Sequence, residues 1–213
     1  MNTNEKLELL KKAKDAYYNS GEEILTDLEY DQLEEELGLE NQTEIGSHSI
    51  NYTIKHPYIM GSLSKVQIKE ENKTIDWNKF YSEILKYVGV NTPIIVTPKY
   101  DGCSFETIVE NSKIISISTR GDGEYGKDIY NHLINKFNQT HTQIKNILTN
   151  TIDTTGTYTL RGEVLVNKNK FQNSKFIDQF ANPRSFVSAT LNRDFDKDDK
   201  ELNDMIELLD IVI

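Results

Sequence analysis

A lysine and an aspartate stand two residues apart before a glycine, in the run Pro98-Lys99-Tyr100-Asp101-Gly102. We predict that this run ends a strand, so that the side chains of Lys99 and Asp101 leave the same face. Gly102 then lets the backbone lie close to a ligand. A lysine becomes a nucleophile when burial or neighbouring cations depress its pKa. Because Asp-Gly is also a common pair in surface turns, the run by itself fits either a turn or a reactive lysine.

The chain uses arginine sparingly, with four arginines against twenty lysines. Arginine is therefore expected where a planar, permanently charged fork must hold phosphate or carboxylate. Arg120 opens the loop Arg120-Gly121-Asp122-Gly123, whose N–H groups suit an anion, and Arg184 stands at a predicted helix start, which also favours phosphate. Arg161 and Glu163 alternate on a predicted strand, where charged side chains are costly unless paired or occupied by a ligand. Each run could be an ordinary turn, strand or cap, but together they favour one anion-binding site.

The net charge of -10 is unevenly distributed. Residues 1–44 hold four lysines against thirteen acidic residues, and residues 194–213 hold two against eight, so residues 45–193 are mildly basic. A strongly acidic protein does not bind a long phosphate backbone through counter-ion release. The charge pattern therefore favours a small anionic ligand over a long polyanion.

The cysteine count and the hydropathy of the chain bear on its cellular location. The single cysteine, Cys103, cannot form an internal disulfide, which favours a reducing, cytoplasmic location. No apolar run approaches the about 18 residues that span a bilayer, and the first residues lack a secretory-signal pattern. Cys103 and the four histidines show no metal-ligand spacing, so we predict no side-chain metal site and interpret Cys103 as a small buried hydrophobe.

Periodicity predicts an α+β protein, with an N-terminal helical hairpin and then a mixed domain containing antiparallel strands. Thr26 and Glu29 have the spacing of a capping box at the start of the second helix. The predicted helices lie near 5–18, 26–37, 74–88, 127–137 and 168–178, with another starting at Asn182-Pro183; the predicted strands are 93–97, 103–109, 113–119 and 157–166. We divide the chain into a helical domain (1–45), a linker (46–73) and a mixed domain (74–213).

Six runs, in this order, resemble the bacterial-type NAD-dependent DNA ligases. They are Tyr17-Tyr18 with Asp27–Asp31, Met60–Leu63, Thr97–Gly102, Ser118–Asp128, Leu160–Val164 and Phe180–Arg184. The resemblance implies that residues 1–45 bind nicotinamide mononucleotide (NMN), that 46–73 lie over the nucleotide, and that 74–213 are an incomplete nucleotidyltransferase domain with an ATP-grasp-like antiparallel sheet. The hairpin distinguishes this family from ATP-using ligases and capping enzymes, which share Lys-x-Asp-Gly.

The resemblance also implies the roles of individual residues. Lys99 would take AMP from NAD and pass it to a DNA 5′-phosphate, so that nicked DNA is the final substrate, with Mg²⁺ held mainly by phosphates and water. The residues implied to bind NAD are Tyr17, Tyr18, Asp27, Tyr30, Asp31, Ser62, Leu63, Asp101, Arg120, Glu163 and Arg184.

Three departures from the family pattern leave alternatives open. Thr97 replaces an acidic residue, Asn192 replaces an arginine that falls instead at 193, and the sequence given stops at Ile213 before two later motifs. We therefore expect slow or absent self-adenylylation by this chain alone, which could be half of a split ligase completed by a second chain. The alternatives are an NAD- or adenylate-binding remnant without catalysis, and an ATP-dependent ligase or guanylyltransferase, against which the hairpin argues.

Overall fold

The structure, a computed structural model, describes residues 1–16, 24–39, 52–61, 73–89, 91–93, 95–138 and 156–213. These form two compact units, Met1–Gly61 with Tyr100–Ile213, and the smaller Ser62–Lys99. The helices are α1 (Thr3–Asp15), α2 (Asp27–Leu37), α3 (Lys73–Leu85), α4 (130–138), α5 (Lys168–Gln172), α6 (Pro183–Asn192) and α7 (Lys200–Leu208). The strands are β1 (Tyr52–Lys55), β2 (Cys103–Glu110), β3 (Lys113–Thr119), β4 (Tyr125–Lys127), β5 (Thr157–Val166) and β6 (Leu209–Val212).

The larger unit is built on a four-stranded antiparallel sheet in the order β3-β2-β5-β6. A second, two-stranded sheet pairs β1 with β4. The predicted hairpin of β2 and β3 is confirmed, and so is the strand over 157–166. Asn111 and Ser112 form the hairpin turn with φ of 48° and 64°, the pair of positive values typical of a two-residue turn that follows the strand twist.

One face of the four-stranded sheet is covered by helices and forms the core. Phe105 of β2 and Phe137 of α4 meet edge to face with ring centroids 5.2 Å apart, and Phe186 of α6 packs against three further phenylalanines. Phe105, Phe137 and Phe186 are fully buried. Full burial of such a side chain stabilises the fold by about 1.5–3 kcal/mol, so this face fixes the orientation of β2 and β5. The molecule is therefore an α+β protein.

Helices α1 and α2 begin at capping boxes. Asn2 and Glu5 exchange hydrogen bonds at the start of α1. The predicted box at α2 is confirmed: the Thr26 N–H donates to Glu29 Oε2 (2.9 Å), and the Glu29 N–H donates to Thr26 Oγ1 (3.3 Å). Residues 17–23 between the two helices lie outside the described residues.

Three predicted elements differ from the structure. No strand forms over 91–93 or 95–102, so Lys99 and Asp101 are not at a strand end; β-branched residues favour a strand only where a neighbouring strand supplies hydrogen bonds. The helix predicted at 168–178 ends at Gln172, because the Asn173 and Ser174 side chains donate to carbonyls of the preceding turn. The helix predicted at 127–137 starts at 130, after β4.

The segment predicted as a linker contains a strand, β1, which pairs with β4. In the smaller unit, the helix predicted at 74–88 is confirmed as α3. Within the described ranges, no helix combines the length and the apolar character needed to cross a bilayer.

Candidate functional site

The loop Arg120–Gly123 is closed by its own backbone. The Gly123 N–H donates to the Arg120 carbonyl (3.0 Å), and Asp122 Oδ1 accepts from the N–H groups of Glu124 and Tyr125. Gly121 has a φ of +57°, and a Cβ there would lie 1.9 Å from the Tyr125 carbonyl oxygen, so only glycine fits. The tight turn predicted for this loop is therefore confirmed.

Strand β2 holds the start of this loop. The Arg120 N–H donates to the Ser104 carbonyl (2.9 Å). Ser104 also faces β5, where it lies opposite Glu163 in the register. Two predicted site residues, Arg120 and Glu163, thus lie next to Ser104: the Arg120 backbone bonds its carbonyl, and Glu163 lies opposite it on β5.

Glu163 has one oxygen paired and one unpaired. The Ser104 hydroxyl donates to Oε1 at 2.5 Å, whereas Oε2 is buried and has no hydrogen-bond partner among the described residues. A buried acceptor without a donor costs about 1–3 kcal/mol. This oxygen is positioned to accept a hydrogen bond from a ligand hydroxyl, which would remove that cost.

Asp101 and Arg184 form an ion pair, with Arg184 Nη1 donating to Asp101 Oδ1 at 2.6 Å. Arg184 follows Pro183, the first residue of α6, and the predicted cap at Asn182 is confirmed, since its side chain accepts from the Ser185 N–H. The pair therefore lies at the N-terminus of α6, where the helix dipole favours an anion. The Arg184 side chain is 24% exposed and that of Asp101 is 74% exposed.

Cys103, at the start of β2, packs against the core. Burial raises the pKa of the Cys103 thiol to about 11, a change that the nearby Arg184 opposes and the nearby Glu163 enhances. The thiol is therefore protonated at neutral pH and a poor nucleophile, in agreement with its interpretation as a small hydrophobe.

The last of the four arginines, Arg193, lies at the opposite end of α6 from Arg184. Arg193 Nη1 donates to Glu201 Oε2 of α7 at 2.9 Å. The Lys127 ammonium donates to the carbonyls of Asn192 (2.6 Å) and Arg193 (3.2 Å), and burial lowers its pKa although Asp194 opposes the shift. Of the four arginines, Arg193 therefore helps to hold α6 against α7.

Sequence reasoning missed two buried residues, His56 and Glu106. Glu106 Oε1 lies 3.1 Å from His56 Nδ1, and Glu106 Oε2 accepts from Arg161 Nε at 2.7 Å. Arg161, counted among the anion-site candidates, is thus paired with a carboxylate of the protein. The available signal was the single acidic residue in the strand Cys103–Val109, because a buried carboxylate requires partners.

The remaining predicted site residues lie in other parts of the chain. Lys99 is the last residue of the smaller unit. Asp27, Tyr30 and Asp31 lie on α2, where the Tyr30 N–H donates to the Thr26 carbonyl. Tyr17, Tyr18, Ser62 and Leu63 lie outside the described residues. In the part of the chain that the structure describes, no group of three or more His, Cys, Asp or Glu side chains could hold a metal ion.

Comparison with known proteins identifies the family. A profile of the NAD-dependent DNA ligase adenylation domain matches residues 49–204. The chain belongs to this family. It is 39% identical over 191 residues to a putative DNA ligase of Invertebrate iridescent virus 6, which covers 89% of this chain and 26% of the viral protein. It is 30% identical over 207 residues to a DNA ligase of Helicobacter pylori (89% of this chain, 30% of the relative) and 32% identical over 190 residues to one of Acanthamoeba polyphaga mimivirus (87% and 27%).

The chain therefore spans between a quarter and a third of the length of these relatives. The region that matches the family profile includes Lys99, Asp101, Arg120, Glu163 and Arg184. The family assignment confirms the resemblance on which these residues were chosen.

Proposed function

We propose that this chain carries out the adenylation step of an NAD-dependent DNA ligase, with Lys99 as the nucleophile. The Lys99 amine attacks the adenylate phosphorus of NAD and gives up a proton. An N–P bond forms, the P–O bond to NMN breaks, and NMN leaves with the electron pair. The product is a lysine-linked AMP.

The observation that supports this proposal most directly is the buried Oε2 of Glu163, which has no hydrogen-bond partner in the described part of the chain. A ribose hydroxyl supplies the donor that this oxygen lacks. Arg120 and Arg184 provide guanidinium groups for the nucleotide phosphates, and Asp101 acts either on the ribose or on the orientation of Lys99. The fold we infer for this region is the nucleotidyltransferase fold of the family.

We further propose that the N-terminal helices bind the NMN half of NAD through Tyr17, Tyr18, Asp27, Tyr30 and Asp31, while Ser62 and Leu63 lie over the nucleotide. Mg²⁺ would be held mainly by the nucleotide phosphates and water, and it would supply positive charge to offset that of the phosphates.

Nicked DNA is the proposed acceptor of the adenylate. The relatives are named DNA ligases and are more than three times as long as the matched region. Further domains, or a second chain, would then take part in sealing the nick. We propose a cytoplasmic location, in keeping with the single cysteine.

A labelling experiment tests the nucleophile. The chain is incubated with Mg²⁺ and NAD labelled in its adenylate group, in parallel with labelled ATP, and digested peptides are analysed by mass spectrometry. We expect a slowly accumulating AMP adduct on Lys99, from NAD and not from ATP. Lys99→Ala abolishes it, and Lys86→Ala, in the same unit, is the matched control. Labelling from ATP, or labelling that survives Lys99→Ala, contradicts the proposal.

A second candidate, an NAD-binding protein without catalysis, is favoured by one specific observation. The arginine nearest to the position expected in the family, Arg193, is bonded to Glu201. Lys99→Ala separates the two functions: in both it leaves NAD affinity little changed, but only in the enzyme does it remove a covalent adduct. A wild-type chain that binds NAD without any adduct supports the binding protein.

A further inference from the structure

His56, Glu106 and Arg161 form a hydrogen-bonded cluster on the polar face of the four-stranded sheet, in which His56 and Glu106 are buried and Arg161 reaches the surface. Glu106 of β2 lies directly opposite Arg161 of β5 in the register, and His56 follows β1. The side chains of His56 and Glu106 are 0% and 1% exposed. A carboxylate this deeply buried is tolerated only if both oxygens are paired, and both are.

His56 lies between Glu106 and the loop that begins at Arg120. Nδ1 faces the Glu106 carboxylate at 3.1 Å, and Nε2 faces the Arg120 carbonyl oxygen at 3.1 Å. Both partners are hydrogen-bond acceptors, and an imidazole ring can donate from either nitrogen. His56 therefore links the Glu106 carboxylate to the backbone of the Arg120 loop.

The two side chains paired with Glu106 also face backbone carbonyls. His56 lies against the carbonyl of Arg120. The terminal nitrogens of Arg161 donate to the carbonyls of Tyr58 and Ile59, at 2.5 and 3.3 Å. Glu106 is thus linked, through His56 and Arg161, to the loop that begins at Arg120 and to the segment that ends at Gly61.

These two backbone segments are also joined to each other. The His56 N–H donates to the Glu124 carbonyl and the Met60 N–H to the Gly123 carbonyl, both at 2.9 Å. These two hydrogen bonds join the segments, and Glu106 links both segments to the sheet that carries Glu163.

We propose that Glu106 is a positioning residue for the adenylation site: it bonds both His56 and Arg161, and through them sets the Arg120 loop and residues 58–61 against the sheet. This inference rests on the proposed function, because the site being positioned is the one assigned there to NAD. Both carboxylate oxygens of Glu106 are used on protein side chains.

The hydrogen bonds of His56 are measured first, on the wild-type chain, by NMR of histidine labelled with ¹⁵N. We expect a ring proton of His56 to exchange slowly with solvent, because the ring is buried between Glu106 and the Arg120 carbonyl. A ring proton that exchanges as fast as that of an exposed histidine overturns the cluster without reference to NAD.

Variants then test the positioning role. Glu106→Ala removes both acceptors, and we expect NAD binding, measured by calorimetry, to weaken roughly tenfold and the His56 and Met60 amides to exchange faster with solvent. Glu106→Gln removes the charge but keeps a side chain that can hydrogen-bond His56 and Arg161, so we expect an NAD affinity and amide exchange rates between those of Glu106→Ala and wild type. Glu201→Gln, which removes a different ion pair, is the control with wild-type affinity.

The outcomes separate this inference from the proposed function. A folded Glu106→Ala chain with wild-type amide exchange and wild-type NAD affinity overturns the positioning role. If Glu106→Ala does not fold, the amide exchange and the NAD affinity of Glu106→Gln decide. If wild type binds no NAD, the proposed function is contradicted, while amide exchange still decides whether Glu106 positions the loop.

Discussion

Two glutamates lie on the same face of neighbouring strands and have opposite surroundings. Glu106 of β2 has both carboxylate oxygens paired, one with His56 and one with Arg161. Glu163 of β5 has one oxygen bonded to Ser104, and its other oxygen is buried without a partner among the described residues. Among the described residues, the hydrogen bonding of the carboxylate is thus complete at Glu106 and incomplete at Glu163.

The difference separates two kinds of buried charge. A buried carboxylate with both oxygens bonded to protein side chains stabilises the arrangement of the segments that carry those side chains. A carboxylate with an unpaired oxygen stores a desolvation cost that a ligand can remove. We therefore propose a positioning role for Glu106 and ligand binding for Glu163.

Glu106→Ala should have the largest effect on stability. It leaves the buried His56 ring without its Glu106 acceptor and removes the partner of the partly exposed Arg161, and a buried polar group left without its hydrogen-bond partner costs about 1–3 kcal/mol. Chemical denaturation of the purified chain measures the loss. If the loss is below about 1 kcal/mol, Glu106 is no more important than a surface charge and the contrast with Glu163 fails.

Glu163→Gln should show the reverse pattern. The free energy of unfolding should stay the same or rise slightly, because the variant removes a buried charge that lacks a donor, while Ser104 can still bond the amide oxygen. NAD affinity should fall about tenfold to a hundredfold, the loss of one charge-assisted hydrogen bond. Denaturation and calorimetry on the same preparation test both parts. A destabilised chain with unchanged NAD affinity would reverse the assignments of the two glutamates.

Much of the fold around these residues was predictable because it is encoded locally. Alternating residues over 157–166 predicted β5, and Asn182-Pro183 predicted the start of α6, since a cap and a first-turn proline act within a few residues. The hairpin of β2 and β3 was predictable for the same reason. The polar face of β5 was also evident from the alternation of Arg161 and Glu163.

The partners of the polar residues were not predictable, because they are distant in sequence. Glu106 meets His56 fifty residues away and Asp101 meets Arg184 eighty-three residues away. The pairing of β1 with β4 is equally non-local, so the segment containing β1 was interpreted as a linker. Residues 95–97 show the opposite error: β-branched composition predicted a strand that has no pairing in the structure.

Asp101→Asn should have a small effect on stability. The Asp101–Arg184 pair is partly exposed, and such pairs contribute about 0.2–1 kcal/mol. We expect a loss in this range by denaturation, similar to that of Asp210→Asn, which removes the exposed pair with Lys170. A loss of several kcal/mol would place Asp101 with Glu106 among the positioning residues, and would argue that Arg184 is held for the fold and not for a phosphate.

The pKa of the Cys103 thiol should report the charge on one glutamate and not on the other. Burial raises this pKa from 9.0 to about 11, and the charges of Arg184 and Glu163 act on it in opposite directions, whereas Glu106 has no part in the shift. Because the folded pKa is above the unfolded one, the stability that the protonated thiol contributes is complete below pH 9 and is lost as pH rises towards 11. Glu163→Gln should lower the pKa of Cys103, Arg184→Ala should raise it further, and Glu106→Gln should leave it unchanged. Ultraviolet titration of the thiolate measures all three, and an equal response to both glutamate variants would mean that the two carboxylates share one electrostatic environment.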